Sequence, residues 1–167
     1  MKPSRVRYAL IVIAIAVLAI PMGFGQSKRW KSSKTGNTGQ TAVNAVSRPT
    51  NVTGEGIATP SGVRYWDIQT GKGDPATNGH AVKVLYRAWT DNGKEFASST
   101  TDGKPPIFTL GAGQVIPGWE EGMQGMKVGG TRQLRIPPNL AYGAAGAPPL
   151  VPPNATLIFD VVLIELP

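Results

Sequence analysis

Three clusters in the last third of this 167-residue chain could form one site. Val115-Ile-Pro-Gly-Trp-Glu-Glu-Gly122 sets a tryptophan between glycines, directly after an apolar pair. Leu140-Ala-Tyr-Gly-Ala-Ala-Gly146 places a tyrosine in a glycine-rich stretch, and the stiff run Pro148-Pro-Leu-Val-Pro-Pro153 follows. The apolar segment Ala155 to Leu166 contributes Phe159. Together they supply an indole floor, a phenol hydroxyl, a proline-stiffened rim and an aromatic wall. Such a set offers shape, dryness and a few hydrogen bonds, and it suits a small apolar ring such as that of proline. Covalent or metal chemistry finds no support. There is no cysteine, and the single histidine, His80, stands before a strand without a dyad partner. Glu120 and Glu121 resemble a carboxylate pair, but neighbouring positions on a helix point apart, so they read as helix-start acids. Gly111-Ala-Gly113 lacks the third glycine and the lysine of a phosphate loop. No cofactor and no metal is expected.

Gly118-Trp-Glu-Glu-Gly122, Ala141-Tyr-Gly143 followed by Pro152-Pro-Asn-Ala-Thr156, and Phe159-Asp-Val161 resemble the FKBP-type peptidyl-prolyl cis-trans isomerases. The resemblance runs from about Pro60 to Pro167 and says nothing of the first 57 residues. It implies an α+β fold, a curved antiparallel sheet wrapped around one short helix, with the pocket between them. It implies Trp119, Tyr142, Phe96 and Ile116 as the catalytic set: Trp119 as the floor under a proline ring, the Tyr142 hydroxyl facing a substrate carbonyl, and the Ile116 backbone N–H as a donor. Tyr86, Val115, Leu150, Val151 and Phe159 would bind substrate, as walls and overhanging rim. Each aromatic also has a plainer reading as core, because small domains commonly bury such residues. The chain departs from the family at Ala97, where an aspartate is usual, at Pro106, where a second aromatic is usual, and at Ala147 in the overhanging loop. The expected pocket is more apolar and more open than in the drug-binding members.

The implied reaction agrees with the residue inventory. Rotation about an X-Pro amide meets a barrier of roughly 18–20 kcal/mol because resonance is broken in the twisted state. No bond to carbon forms, so neither nucleophile nor metal is required. A thousandfold acceleration needs about 4 kcal/mol of preferential binding to the twisted amide.

The elements that must position these residues are legible in outline. Val63 to Gln69 alternates as a half-buried strand does. Ala81 to Trp89 is a second strand, and Asp91-Asn-Gly93 a hairpin turn into Glu95 to Ser98. Ile107 to Leu110, Thr131 to Ile136 and Leu157 to Leu166 are further strands. Pro117 opens a helix that ends by Met126, before Gly129-Gly130. Many strands, frequent turns and one helix describe an antiparallel α+β domain over residues 58–167.

Charge locates the rest. The net charge is +7, but seven cations fall within the first 34 residues with no acid among them, which leaves ten bases against ten acids. The excess therefore flanks an apolar segment, reads as membrane topology and gives no sign of a nucleic-acid partner. Tyr8 to Gly25 would form a helix of roughly 27 Å, at the short end for a bilayer. Residues 1–25 thus read as a signal peptide or signal anchor, and Lys28 with Arg29 directly after a cleavage point favours the anchor. Residues 26–57 are rich in Ser, Thr, Asn, Gly and Gln and read as a flexible polar tether with a reach of roughly 30 Å. The expected placement is a single-pass anchor in the cell membrane with an extracytoplasmic, periplasmic domain; the alternative is a secreted or periplasmic domain after cleavage. The expected partners are proline-containing polypeptides, in exported proteins, and the membrane through the N-terminal segment. A second function, a holdase or proline-segment binding module with weak catalysis, draws on Ala97 and Pro106. Against it, the stretch from Tyr142 to Asn154 is too short to hold an inserted chaperone domain.

Overall fold

The computed structural model describes residues 48–99 and 105–167. The apolar segment and most of the tether lie outside the described residues. No helix among the described residues is long and apolar enough to cross a membrane.

Seven strands form one antiparallel sheet: β1 (Ile57–Ala58), β2 (Arg64–Gln69), β3 (Ala81–Thr90), β4 (Glu95–Ser98), β5 (Ile107–Thr109), β6 (Thr131–Ile136) and β7 (Leu157–Glu165). Their order is β1-β2-β6-β7-β3-β4, with β5 pairing on β3 beside β4. Among the described residues one α-helix, α1 (Pro117–Gly122), lies against the sheet, and two 3₁₀ turns at Pro138–Leu140 and Gly143–Ala145 shape the loop before β7. Every second residue of the central strands faces the helix. Val82, Val84, Tyr86 and Ala88 of β3, and Leu157, Phe159, Val161 and Leu163 of β7, join one buried cluster with Trp119 and Met123. Period-2 patterning therefore sets which face of each strand meets the helix.

The helix can meet that face because it is narrow on one side. Gly118 and Gly122 are four residues apart, hence on one face. A Cβ at Gly118 would overlap Ile136 Cγ2, and one at Gly122 would lie 2.8 Å from Leu134 Cδ2. The glycines let the backbone settle onto β6, so Trp119, between them in sequence, projects beside the contact and into the core. Pro117 stands at the first helical position, where its missing N–H costs nothing.

The helix ends at Gly122, a turn before Met126, and its last carbonyl finds another partner. Arg132 of β6 donates from Nη1 to Gly122 O (2.9 Å) and Gln124 O (3.1 Å). The same guanidinium grips Asp67 on β2 (2.6 and 3.1 Å) and lies 4.1 Å from the centre of the Tyr65 ring. A cation at a helix C-terminus is favoured by the dipole, and here the desolvation of a buried guanidinium is offset by four hydrogen bonds.

Two elements differ from the sequence expectation. β2 does not alternate in burial: its last three residues are all exposed. β1 reaches only Arg64 and Tyr65, so the rest of β2 is an outer edge. Residues 50–57, assigned to the tether on composition, lie along the sheet and lead into β1. Their contacts are made by backbone groups, which composition does not register.

Gly118→Ala is expected to cost about 1–3 kcal/mol of stability, read as a lower denaturant midpoint at unchanged slope. A midpoint equal to wild type would show that the helix does not depend on this close approach.

Candidate functional site

The site is an aromatic cluster around Trp119. Tyr86 of β3 meets the indole edge-on, with centroids 5.3 Å apart and planes at 88°. Phe159 of β7 does the same at 5.2 Å and 88°. Phe96 stands edge-on to Phe159 at 6.0 Å. Perpendicular packing places ring edges, which carry positive charge, on ring faces, which carry negative charge. It also fixes the indole plane, since the ring cannot tilt without losing both partners. Trp119 keeps 4% of its surface exposed, Tyr86 and Phe96 8% each, and Phe159 1%.

Each ring is aimed by its strand. Phe159 and Tyr86 occupy inward positions of adjacent paired strands. Phe96 needs a special device. The β3–β4 ladder pairs Ala88 with Ala97 and Trp89 with Glu95, so Phe96 is the extra residue of a bulge. A bulge breaks strict alternation and re-aims a side chain. Ala97, paired with the inward Ala88, and Phe96 before it both pack on the core. Ser99 then locks Tyr86 in place: its hydroxyl accepts the Tyr86 N–H (2.8 Å), and its own N–H donates to Tyr86 O (3.0 Å).

Val115 and Ile116 precede the helix, each 6% exposed. Ile116 is the N-cap residue in extended conformation, and its carbonyl accepts from Trp119 N–H at 2.9 Å. Among the described residues its own N–H donates to no partner. Tyr142 opens the second 3₁₀ turn and is half-buried against the core. Its hydroxyl makes no hydrogen bond to another described residue. Burial pushes this phenol above its ordinary pKa of 10.0, so it stays a neutral O–H donor.

The loop from Ala147 to Val151 closes on itself through two backbone hydrogen bonds between those residues, each 2.9 Å. Leu150 remains half-buried, whereas Val151 turns inward to 1% exposure. Val151 therefore secures the base of the loop, and Leu150 forms its overhang. A Cβ at Gly146, where φ is +64°, would stand 2.6 Å from the Pro152 backbone, a close approach that excludes a side chain.

All nine residues singled out in the sequence sit in or against one core cluster. The one missed is Phe108. It is 6% exposed, with its centroid 5.6 Å from that of Trp119. Pro106 breaks the aromatic pattern, but the inward residue of β5 is Phe108, two positions on; the pairing of Phe108 with the inward Val82 decides it. Glu120 and Glu121 are structural ties: Glu120 Oε1 accepts from Gly113 N–H (2.8 Å), and a Glu121 oxygen accepts from the Ser61 hydroxyl. They fasten two loops to the helix and do not face one another as a catalytic pair.

An enclosure of this kind can bind a small apolar ring and can present one phenol O–H and one backbone N–H to a carbonyl. Nothing in it titrates near neutrality.

Comparison with known proteins gives a consistent result. A family model described as FKBP-type peptidyl-prolyl cis-trans isomerase matches residues 72–164. The FK506-binding protein of Neisseria meningitidis serogroup A is 49% identical over 100 residues, covering 60% of this chain and 92% of that protein. FkpA of Escherichia coli K12, an FKBP-type peptidyl-prolyl cis-trans isomerase, is 45% identical over 113 residues, covering 67% of this chain and 41% of the relative. Among solved structures, that of AtFKBP13 superposes with a TM-score of 0.63 at 40% identity, over 66% of this chain and 97% of the other. That of Escherichia coli FkpA gives 0.60 at 44%, over 65% and 50%.

Isomerisation is expected to be flat from about pH 6 to 9, since burial raises the Tyr142 phenol above its ordinary value of 10.0 and keeps its proton in place. Stability has a corresponding sign. Below the unfolded value both states keep the phenol proton, so Tyr142 adds no slope. Above it the unfolded chain ionises first, and stability falls as pH rises toward the folded value. Denaturation of wild type and Tyr142→Phe at about pH 8 and 10.5 checks this, the variant being expected to lose less on the alkaline side.

Proposed function

The chain belongs to the FKBP-type peptidyl-prolyl cis-trans isomerase family and is an isomerase of that type, and we propose that its working site is the aromatic enclosure around Trp119. The observation that carries the proposal is the conjunction of a packed indole floor with two unpartnered donors, the Tyr142 hydroxyl and the Ile116 N–H.

In this reading the proline ring rests on Trp119, between Tyr86, Phe96, Phe108 and Phe159. The dry enclosure disfavours the planar amide, which resonance makes strongly dipolar, relative to the twisted one. A donor to the substrate carbonyl holds that oxygen while the amide nitrogen rotates with the ring. Val115 and Leu150 border the entrance. Catalysis then consists of shape, desolvation and two fixed hydrogen bonds, with no bond made to the protein.

Ala97 bears on how far the rate is tuned. It packs on the core beside Phe96, where relatives in the family place an acid, and the methyl group leaves that side of the enclosure apolar. A module that holds proline segments with slow turnover is the second reading, favoured by this residue alone.

The proposed setting is the extracytoplasmic side of a membrane, with residues 1–25 as anchor or cleaved signal. The basic start and apolar run support it. Substrates are then X-Pro bonds of exported chains.

A protease-free isomerisation assay on the full chain, with short Leu-Pro or Phe-Pro peptides, tests the site. Tyr142→Phe is expected to lower kcat/KM by roughly two- to tenfold, the worth of one net hydrogen bond, with little loss of stability. Ala97→Asp is expected to raise the rate. An unchanged rate in Tyr142→Phe with a lowered melting point would make the hydroxyl structural. For the setting, the chain is expected to stay with membranes through alkaline extraction and to retain Met1; a mature N-terminus near residue 26 would assign a cleaved signal.

A further inference from the structure

The outer face of the sheet, away from α1, holds a polar pair that the enclosure does not use. Phe159 and Val161 of β7 point inward, so Asp160 between them points out, and the register sets Gln133 of β6 beside it. Both are nevertheless buried, Asp160 at 4% and Gln133 at 5% exposure. A buried carboxylate requires donors to replace water. Gln133 Nε2 supplies one to Oδ1 at 2.8 Å. The others come from the N-terminal segment: the Thr50 N–H and hydroxyl both donate to Oδ2, at 2.8 and 2.7 Å. Gln133 Nε2 also donates to the Thr50 carbonyl at 2.7 Å. Every polar group of Thr50 is thereby taken.

The segment stays down beyond that point. The Gly54 carbonyl accepts from the Trp66 indole at 3.1 Å, and the Glu55 carbonyl from Arg64 at 2.8 Å. Gly56 lies so close to the Trp66 ring that a Cβ would stand 2.5 Å from it. The fit uses backbone groups, one hydroxyl and one absent side chain, so it selects an extended strand carrying Thr or Ser at the first contact and Gly six residues later.

We propose that Asp160 and Gln133 form a docking site for the chain's own segment Arg48–Gly56, which holds Pro49 on the face opposite Trp119. Arg48–Pro49 is itself an X-Pro bond. Released, the eight residues from Pro49 to β1 would span up to about 29 Å when extended. A tethered proline would then meet the enclosure at an effective concentration in the millimolar range. Docking removes this internal competitor. That consequence, though not the docking itself, rests on the isomerase site proposed above.

Hydrogen exchange on the full chain tests the docking. In wild type, the Thr50 amide and the segment to Gly56 are expected to be protected. Thr50→Val keeps the branched shape and removes the hydroxyl, and Asp160→Asn replaces one of the two acceptor oxygens with an NH2 donor that faces Thr50 or Gln133; each is expected to reduce protection about tenfold or more. Thr50 lies outside the core, so its variant stays informative if Asp160→Asn fails to fold. The second arm is kinetic: in Thr50→Val, KM for a short Leu-Pro peptide is expected to rise at unchanged kcat, and adding Pro49→Ala should restore it. Unchanged protection in both variants overturns the docking site. Lost protection with unchanged KM overturns the sequestering role. A chain with no measurable turnover would leave the exchange arm to decide the docking.

Discussion

The contact on which the structure depends is the approach of α1 to β6 through Gly118 and Gly122. A helix with side chains at those positions would stand farther off, and Trp119 would no longer reach both Tyr86 and Phe159 edge-on. The rings would then lose the mutual orientation that keeps the floor flat. Arg132 secures the other end of the same helix by taking the Gly122 carbonyl, and that of Gln124 just beyond it, while pairing with Asp67. A six-residue helix has little stability of its own. It persists because a strand holds its underside and a guanidinium holds its end.

The result is an aromatic enclosure held rigid around the indole. The acids nearest the floor are spent on the Gly113 N–H and the Ser61 hydroxyl. This division fits a reaction limited by loss of resonance, in which a misplaced ring costs more than an absent base. It also separates what stabilises from what acts: the sheet and helix supply burial, and the few groups left without partners are the ones that can meet a substrate.

Much of this was legible in the sequence because the signals were local. Strand periodicity gave β3, β6 and β7 nearly to the residue, and Asn92-Gly93 gave the hairpin, where Gly93 has φ +84°. The glycine–tryptophan–glycine spacing marks Trp119, which stands edge-on between Tyr86 and Phe159 in the core. What stayed hidden depended on partners distant in the chain. Phe108 faces inward only because its cross-strand neighbour Val82 does. β2 is exposed because it lies at the margin of the sheet, which its own alternation does not reveal. Residues 50–57 look unstructured by composition because their hold on the sheet is made of backbone groups and a single hydroxyl.

The bulge at Phe96 has a consequence for how such a site can vary. The phenyl group faces the indole side because β4 carries one residue more than β3 opposite it. Residue count in that strand is therefore as much a determinant as residue identity. Loss of one residue between Lys94 and Ala97 would restore an even ladder and turn one of two neighbouring inward side chains to solvent, with composition almost untouched. Substitution can tune this wall gradually, whereas a change of length reverses it in a single step.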